Sequence, residues 1–315
     1  MLRSLPIIAA MIEEVAGILA GQDFGTWSRA DIERIAGAAG WSVQDGDYRL
    51  TIETGGPARV WSTKLSYGQD GFGYGEQTDL EITETCPADQ LPALHTATLA
   101  AVTAVLGPPA LVGGPHAFSF WRKPRVWLER DLRYRSVTLL VQPADPAENE
   151  EYSNAEYAEG WRPRHLWNAE PDVQSDAAGS LGGMMLYDGP EATTFDEFAT
   201  GLRRLFMSFA TDLTTLADYV PGVGWEIRPV DKSVNEEISG WFDEASINLQ
   251  KIRFGTTDAE HIKLPLGAEN GARAAETILG WVRGWAVTEP AAQLRHHCYV
   301  RPPVRLWARA GFRIP

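Results

Sequence analysis

The residues His296, His297 and Cys298 have the most obvious potential for chemistry in this sequence. Imidazole and thiolate groups bind zinc, and they also act as general bases and nucleophiles. The flanking residues have strand character, and alternate side chains of a strand point to opposite faces, so His296 and Cys298 share one face. Two ligands do not complete a zinc site, so we favour a structural role over a metal-binding or nucleophilic one.

Adjacent carboxylates are the other candidates for chemistry, at Glu150 and Glu151 and at Glu236 and Glu237. Both pairs lie in polar runs, whereas general acid–base catalysis requires carboxylates that converge in an apolar cleft. The glycine-rich residues 68–75 lack the Lys-Ser/Thr ending of a phosphate loop, which favours a hairpin loop. The sequence therefore predicts no catalytic residue, no metal and no cofactor.

An internal repeat organises the rest of the chain. Residues 120–128 recur in diverged form as residues 298–306, and further blocks align upstream in the same order. Ordered similarity at matched spacing is typical of a duplicated unit. The same alignment places His296 and Cys298 opposite phenylalanines, which favours buried positions for both.

The repeat predicts two diverged units, residues 1–143 and 194–315, joined by a connecting segment at residues 144–193. Hydrophobic periodicity gives each unit the element order α-β-β-β-α-β-β. This order predicts an α+β fold in which antiparallel sheets are covered by helices on one face, with a possible pseudo-twofold axis. The continuous apolar run at residues 137–141 is typical of a central strand.

Local signals mark the start of two helices. Ser28 with Asp31, and Thr194 with Glu197, have the spacing of capping boxes. After Thr194, one helical face is predicted to be apolar, and its residues are Phe198, Leu202, Leu205, Phe206 and Phe209.

Composition limits the functional class. With 44% apolar residues, 22% charged residues and 12 Trp, the chain is globular. Two cysteines form no disulfide framework, which fits a cytoplasmic protein. No apolar run is long enough for a membrane helix, and Glu13 and Glu14 favour an amphipathic first helix over a signal peptide. The net charge of −14, without a basic stripe, argues against nucleic-acid binding.

The negative charge is concentrated in the connecting segment. Residues 145–196 contain twelve acidic residues and two arginines, with aromatic residues interleaved. Carboxylates beside aromatic anchors suit a basic protein surface, whereas the alternative is a solvated acidic linker. The candidate partner-binding residues are Glu148, Glu150, Glu151, Tyr152, Glu156, Tyr157, Glu159 and Trp161.

The aromatic residues of the first copy of the repeat, Trp121 and Trp127, also have two interpretations. They lie an even number of residues apart, which favours a core position for one or both. The alternative is an aromatic-basic surface that they would form with Arg122, Lys123 and Arg125.

The first half of the chain contains Gly40-Trp41, Leu106-Gly107-Pro108 after a helix, and Trp121-Arg122-x-Pro before a Val-x-Leu strand. In these residues it resembles an uncharacterised family of actinobacterial proteins. Some members lie beside genes for secreted polymorphic toxins, so the resemblance implies an immunity-type or accessory role and no catalytic residue.

Three functional hypotheses follow. The first is a cytoplasmic immunity protein, or antitoxin, that binds and neutralises a toxin with a basic cleft. The second is a chaperone or adaptor of a secretion system, and the third is an enzyme with an unrecognised active site. The first two predict a protein partner and exclude nucleic-acid and membrane partners.

Overall fold

The computed structural model describes residues 6–45, 49–56, 58–66, 76–157, 165–172, 192–300 and 304–308. In them the helices are α1 (Pro6–Ala20), α2 (Arg29–Ala38), α3 (Leu91–Leu106), α4 (Ala144–Tyr157), α5 (Phe195–Leu216), α6 (Ala268–Arg283) and α7 (Pro290–Gln293). The strands are β1 (Ser42–Asp45), β2 (Arg49–Glu53), β3 (Arg59–Ser66), β4 (Glu76–Thr85), β5 (Leu111–Gly114), β6 (Phe118–Trp121), β7 (Arg125–Asp131), β8 (Ser136–Gln142), β9 (Trp167–Glu170), β10 (Gly222–Pro229), β11 (Glu236–Asp243), β12 (Ser246–Arg253), β13 (Ala259–Pro265), β14 (Leu294–Tyr299) and β15 (Arg305–Ala308). Helices and antiparallel sheets make this an α+β fold, as the sequence predicted.

The chain forms two compact units. Unit 1 comprises Met1–Ala110 and Phe118–Trp161, and unit 2 comprises Leu111–Ala117 and Arg162–Pro315. The duplication of the chain stays a prediction.

Unit 1 contains antiparallel strands in the order β1-β2-β3-β4-β8-β7-β6. Helices α1 and α3 pack together, and both contact the central strands. The core side chains of these strands are Leu80, Ile82, Val126, Leu128, Val137, Leu139 and Val141, each with no exposed surface. Strand β8 lies between β4 and β7, which confirms the central position predicted for residues 137–141.

Unit 2 contains a five-stranded antiparallel sheet in the order β13-β12-β11-β10-β14, and the strands β5-β9-β15 pair in that order. Helices α5 and α6 pack against each other and contact strands of the five-stranded sheet. The ring of Phe206 lies 5.0 Å from that of Trp225 and 5.0 Å from that of Phe242. Burial of each phenylalanine contributes about 1.5–3 kcal/mol, and the apolar face predicted for α5 is buried throughout.

Both predicted capping boxes are confirmed. The Ser28 hydroxyl accepts a hydrogen bond from the Asp31 N–H, and the Asp31 carboxylate accepts one from the Ser28 N–H. Thr194 and Glu197 form the same reciprocal pair at the start of α5. These bonds satisfy N–H groups that the first turn of a helix leaves without a partner.

Pairing at the end of the chain differs from the prediction. The repeat aligns residues 298–306 with the β6–β7 hairpin and so predicts a hairpin there, but β14 pairs with β10, and β15 pairs with β9. Residues 241–252 belong to two strands, β11 and β12. The Asp243 carboxylate accepts hydrogen bonds from the N–H groups of Ala245 and Ser246, which forms the turn between β11 and β12.

The two tryptophans of the β6–β7 hairpin lie on opposite faces of the sheet. Trp121 pairs with Val126, is 4% exposed, and donates from Nε1 to the Gly107 carbonyl at 2.9 Å. Trp127 is half-buried on the other face and stacks on Phe118 at 4.6 Å. Residues at even spacing share a face only within a single strand, and a turn separates Trp121 from Trp127. In the described part of the chain, no helix combines the length and apolarity needed to cross a membrane.

Candidate functional site

The β6–β7 hairpin holds helix α4 through one ion pair. The Arg122 guanidinium donates from Nε and Nη2 to the two carboxylate oxygens of Glu148, at 2.9 and 3.0 Å. Paired N–H···O bonds of this kind are stronger and more directional than a single charge contact. Pro146 and Ala147 are buried beside this pair. The first two turns of α4 are therefore fixed to unit 1.

A cleft of about 460 Å³ opens in unit 1 next to the start of α4. Its walls are the loop between α1 and α2, the turn of the β6–β7 hairpin, and the junction of β8 with α4. Lining residues from these walls include Gln22, Asp23, Trp27, Gln77, Lys123, Arg125, Gln142 and Asp145. The volume is within the range of binding clefts, about 300–1,000 Å³. Carboxamides that both donate and accept hydrogen bonds suit a polypeptide segment, whose backbone offers both groups.

Two of the lining residues, Arg125 and Gln142, belong to a chain of hydrogen-bonded polar side chains. Arg125 donates from Nε to Gln142 Oε1 at 3.2 Å, and Gln142 donates from Nε2 to Asp79 Oδ2 at 3.2 Å. The Arg125 guanidinium also lies over the Phe120 ring, 5.2 Å from its centroid. The pKa of Asp79 is raised to about 6, mainly by burial; the hydrogen bond from Gln142 opposes this shift, and the nearby Glu81 and Glu150 carboxylates contribute to it. Arg125 is 2% exposed, so its orientation is set from within the protein.

The loop wall of the cleft is held rigidly. Phe24 and Trp27 stack with centroids 4.2 Å apart, and the Trp27 carbonyl accepts a hydrogen bond from the Thr78 N–H on β4. Asp31 accepts hydrogen bonds from Thr26 and Ser28, and these bonds lower the pKa of its carboxyl to about 2. The loop therefore has a defined position before any partner binds.

The structure places the predicted partner-binding residues as follows. Glu148 is half-buried and ion-paired with Arg122, so it anchors α4, while Glu150 is exposed. The backbone of Glu151, Tyr152, Glu156 and Tyr157 lies in α4, and their side chains are outside the described residues. Glu159 and Trp161 also lie outside the described residues. The first part of the connecting segment, Ala144–Tyr157, forms a helix, although its sequence has no apolar periodicity.

The cluster at residues 296–298 is arranged as strand geometry predicts. His296 and Cys298 share the face that pairs across to Ile227 and Trp225, and Cys298 Sγ lies 3.2 Å from His296 Nε2. Burial lowers the pKa of His296 to about 4 and raises the pKa of Cys298. The pair is therefore an uncharged thiol and a neutral imidazole at neutral pH, and it lacks the thiolate that a nucleophile or zinc ligand requires. Among the described residues, no three His, Cys, Asp or Glu side chains converge as metal ligands.

A second polar chain lies inside unit 2, and the sequence analysis missed it. The Trp167 indole donates to Ser208 Oγ at 2.7 Å, and Ser208 donates to Asp212 Oδ2 at 2.8 Å. A side chain at Gly114 would collide with these groups, so the β5 backbone lies directly against them. Ser208 accepts a hydrogen bond from Trp167 on β9 and donates one to Asp212 on α5, and these two bonds attach β9 to α5. The Ser-x-x-x-Asp spacing on the buried face of α5 is the signal that would have identified it.

The cleft and α4 together form the candidate functional site. No family model, curated protein or solved structure matches the chain. The interpretation of the site therefore depends on its geometry and charge.

Proposed function

We propose that the protein is a cytoplasmic immunity protein that binds a toxin through the acidic helix α4 and the cleft beside it. The observation that carries the proposal is the Arg122–Glu148 ion pair, with both carboxylate oxygens engaged, which holds an acidic helix rigidly at the edge of an open cleft. A fixed surface loses little conformational entropy on binding, and this favours affinity.

The composition of α4 supports a binding role. The sequence of the helix contains five acidic residues and no lysine or arginine. Glu156 lies near the C-terminal end, where negative charge opposes the helix dipole by about 0.3–1 kcal/mol. Asp145 in the first turn and Glu148 in its ion pair stabilise α4, whereas Glu156 does not, and the excess of negative charge on the helix suits a positively charged partner.

A partner with a basic surface fits both parts of the site. Complementary charge speeds association and disfavours wrong partners, while the cleft gives a shaped surface where a partner loop is desolvated. Asp145 contributes to both, since it is exposed, lies in the first turn of α4, and lines the cleft. An inhibitor of this kind needs no catalytic residue.

The test compares two variants with the same change in charge. In E150Q/E151Q/E156Q three of the four glutamates of α4 are neutralised, and in E53Q/D218N/E244Q three exposed acidic residues elsewhere are neutralised. The genes beside that of the protein are searched for a toxin domain, and each variant is co-expressed with that domain to measure growth rescue. The association rate of the purified pair is measured between about 50 and 500 mM salt, a range in which charge screening changes strongly.

We expect the α4 variant to associate more slowly, with a flatter salt dependence and weaker rescue, while the control variant stays near wild type. Equal behaviour of the two variants would exclude α4 as the binding surface. Failure of the wild-type protein to rescue growth or bind would exclude the proposed function.

A further inference from the structure

The five-stranded sheet of unit 2 has one face that α5 and α6 do not cover. The strand register places one row of residues across all five strands on that face: Lys263, Asn248, Trp241, Gly224 and Tyr299. These residues alternate with the core positions Trp225 and Phe242, so the row faces away from the helices.

Two glycines of β10, Gly222 and Gly224, allow the indole ring of Trp241 to lie flat against the strand. A Cβ atom at Gly222 would lie 2.6 Å from Trp241 Nε1, and a Cβ atom at Gly224 would lie 2.8 Å from Trp241 Cε3. Gly222 and Gly224 project to the same face of β10. The indole therefore lies along β10 with one face against the backbone and the other directed away from the sheet.

Tyr299 completes an aromatic platform from the opposite side. Its ring leans over Gly224 and its centroid is 6.0 Å from that of Trp241, at an interplanar angle of 50°. His297, two residues earlier on β14, lies nearly parallel to Tyr299 at 5.8 Å. Tyr299 is 41% exposed, so much of its ring contacts solvent.

The adjacent row consists of hydrogen-bonding groups. Across the same strands it contains His261, Gln250, Ser239, Glu226 and His297. Gln250 donates from Nε2 to Ser239 Oγ at 2.9 Å, which orients the carboxamide. The two rows together contain one lysine and one glutamate, and the carboxylate of that glutamate, Glu226, is ion-paired with Arg228 at 3.2 Å.

We propose that this face binds a neutral oligosaccharide. A pyranose ring presents a face of C–H groups, which are attracted to the negative face of an aromatic ring, and it presents hydroxyls at its edge. Carboxamide, carboxylate and imidazole groups together donate to and accept from hydroxyls, as the second row does. Oligosaccharides occupy the exposed sheet face in other antiparallel folds.

The charge of the face argues against single-stranded nucleic acid, which is the other class of ligand that stacks on aromatic rings. Single-stranded nucleic acid requires a positively charged groove for its phosphates, and the two rows contain one lysine and one glutamate. Packing of an aromatic ring over a strand glycine also stabilises a sheet, which accounts for the contact of Trp241 with Gly224. That packing does not account for the exposed Tyr299 ring beside an ordered polar row.

The experiment uses the full-length protein and uncharged hexasaccharides from the cello, malto, xylo and chito series. Intrinsic tryptophan fluorescence is titrated with each sugar, and binding is confirmed by calorimetry. We expect saturable binding of at least one series, because a sugar that stacks on Trp241 changes the environment of its indole. Tyr299→Ala is expected to weaken binding about tenfold, and Glu226→Gln, which keeps both rings, to weaken it about threefold.

Tyr134→Ala is the matched control, since Tyr134 is 66% exposed and lies in unit 1. Its affinity should equal that of wild type, and melting temperatures establish that every variant is folded. The proposal is overturned if no series binds, if Tyr134→Ala weakens binding as much as Tyr299→Ala, or if oligo(dT) or an uncharged peptide binds at this face in place of the sugars.

Discussion

Trp225 lies directly opposite Gly240 in the β10–β11 pair, and its indole fills the space that a side chain at residue 240 would occupy. In the next pair along the strands, the glycine is on β10 and the tryptophan on β11: Gly224 lies opposite Trp241, and the Trp241 indole lies against Gly224 on the other face of the sheet. Two Gly-Trp dipeptides in antiparallel register thus place one indole in the core of unit 2 and one on its outer face. The alternation of side chains in a strand produces this arrangement.

Gly240→Ala is expected to destabilise unit 2 by about 1–3 kcal/mol, the usual range for overpacking a core. The added Cβ would lie 2.6 Å from Trp225 Cζ2 and would also meet the Asn248 carbonyl, neither of which is the end of a flexible side chain. Gly280→Ala is the control, because its Cβ in α6 meets nothing within 4 Å. The control should stabilise the protein by about 0.5–1 kcal/mol. Urea unfolding followed by tryptophan fluorescence measures both, and equal effects would contradict the packing argument.

The sequence predicted elements whose causes are local. The capping boxes at Ser28 and Thr194 satisfy N–H groups within four residues, and the buried face of α5 follows from helical periodicity alone. Features that depend on distant residues were missed. Helix α4 has no apolar periodicity, and it is held by Arg122, which lies 26 residues before Glu148. The pairing of β15 with β9 is also non-local, and no pattern near either strand specifies it.

The candidate site was only partly predictable for the same reason. Its acidic residues were visible as a concentration of charge in the sequence. The cleft combines Gln22, Gln77, Lys123 and Gln142, which are far apart along the chain and ordinary in their local context. Only the folded sheet brings them together.

Glu84→Gln is expected to make stability less dependent on pH. Glu84 is 4% exposed, neither of its carboxylate oxygens has a hydrogen-bond partner among the described residues, and burial raises its pKa to about 7. Between pH 4.5 and about 7, the folded state therefore keeps the proton on Glu84, whereas the unfolded chain, in which the pKa is near 4.5, releases it. Stability from this group is full below pH 4.5 and is lost as the pH rises to about 7.

The measurement is the free energy of unfolding at pH 4 and pH 8. The variant should match wild type at pH 4 and exceed it at pH 8 by up to about 3 kcal/mol. Glu53→Gln, at an exposed position, should follow wild type at both values. A variant with the same pH dependence as wild type would mean that Glu84 does not ionise in this range in the folded protein.

Cys298 is expected to be unreactive and free of zinc. Burial raises the pKa of its thiol, and alkylation requires the thiolate. In a Cys86→Ser background, labelling by iodoacetamide at pH 8 should be at least about a hundredfold slower in the folded protein than in urea. The purified protein should contain no stoichiometric zinc by elemental analysis. Stoichiometric zinc that disappears in Cys298→Ala would instead establish a metal site.

The last prediction concerns the anchor of α4, which the proposed function requires. The side chains of Arg122 and Glu148 are 38% and 17% exposed, so the pair is less screened than a surface ion pair. A double-mutant cycle of Arg122→Ala and Glu148→Ala should give a coupling energy of about 1 kcal/mol. The pair of Arg29 with Glu33, at 46% exposure each and four residues apart, is the control and should give about 0.3–0.5 kcal/mol.

Loss of the anchor should also change the dynamics of α4. Hydrogen exchange of the amides at residues 147–157 should become faster in Glu148→Ala, while exchange in β7 and β8 stays slow, because only the helix loses its attachment. Association with the toxin domain should slow more in Glu148→Ala than in Glu150→Gln, although each variant loses one negative charge. If the two variants slow association equally, the charge of α4 acts without its rigid placement, and the ion pair has no part in binding.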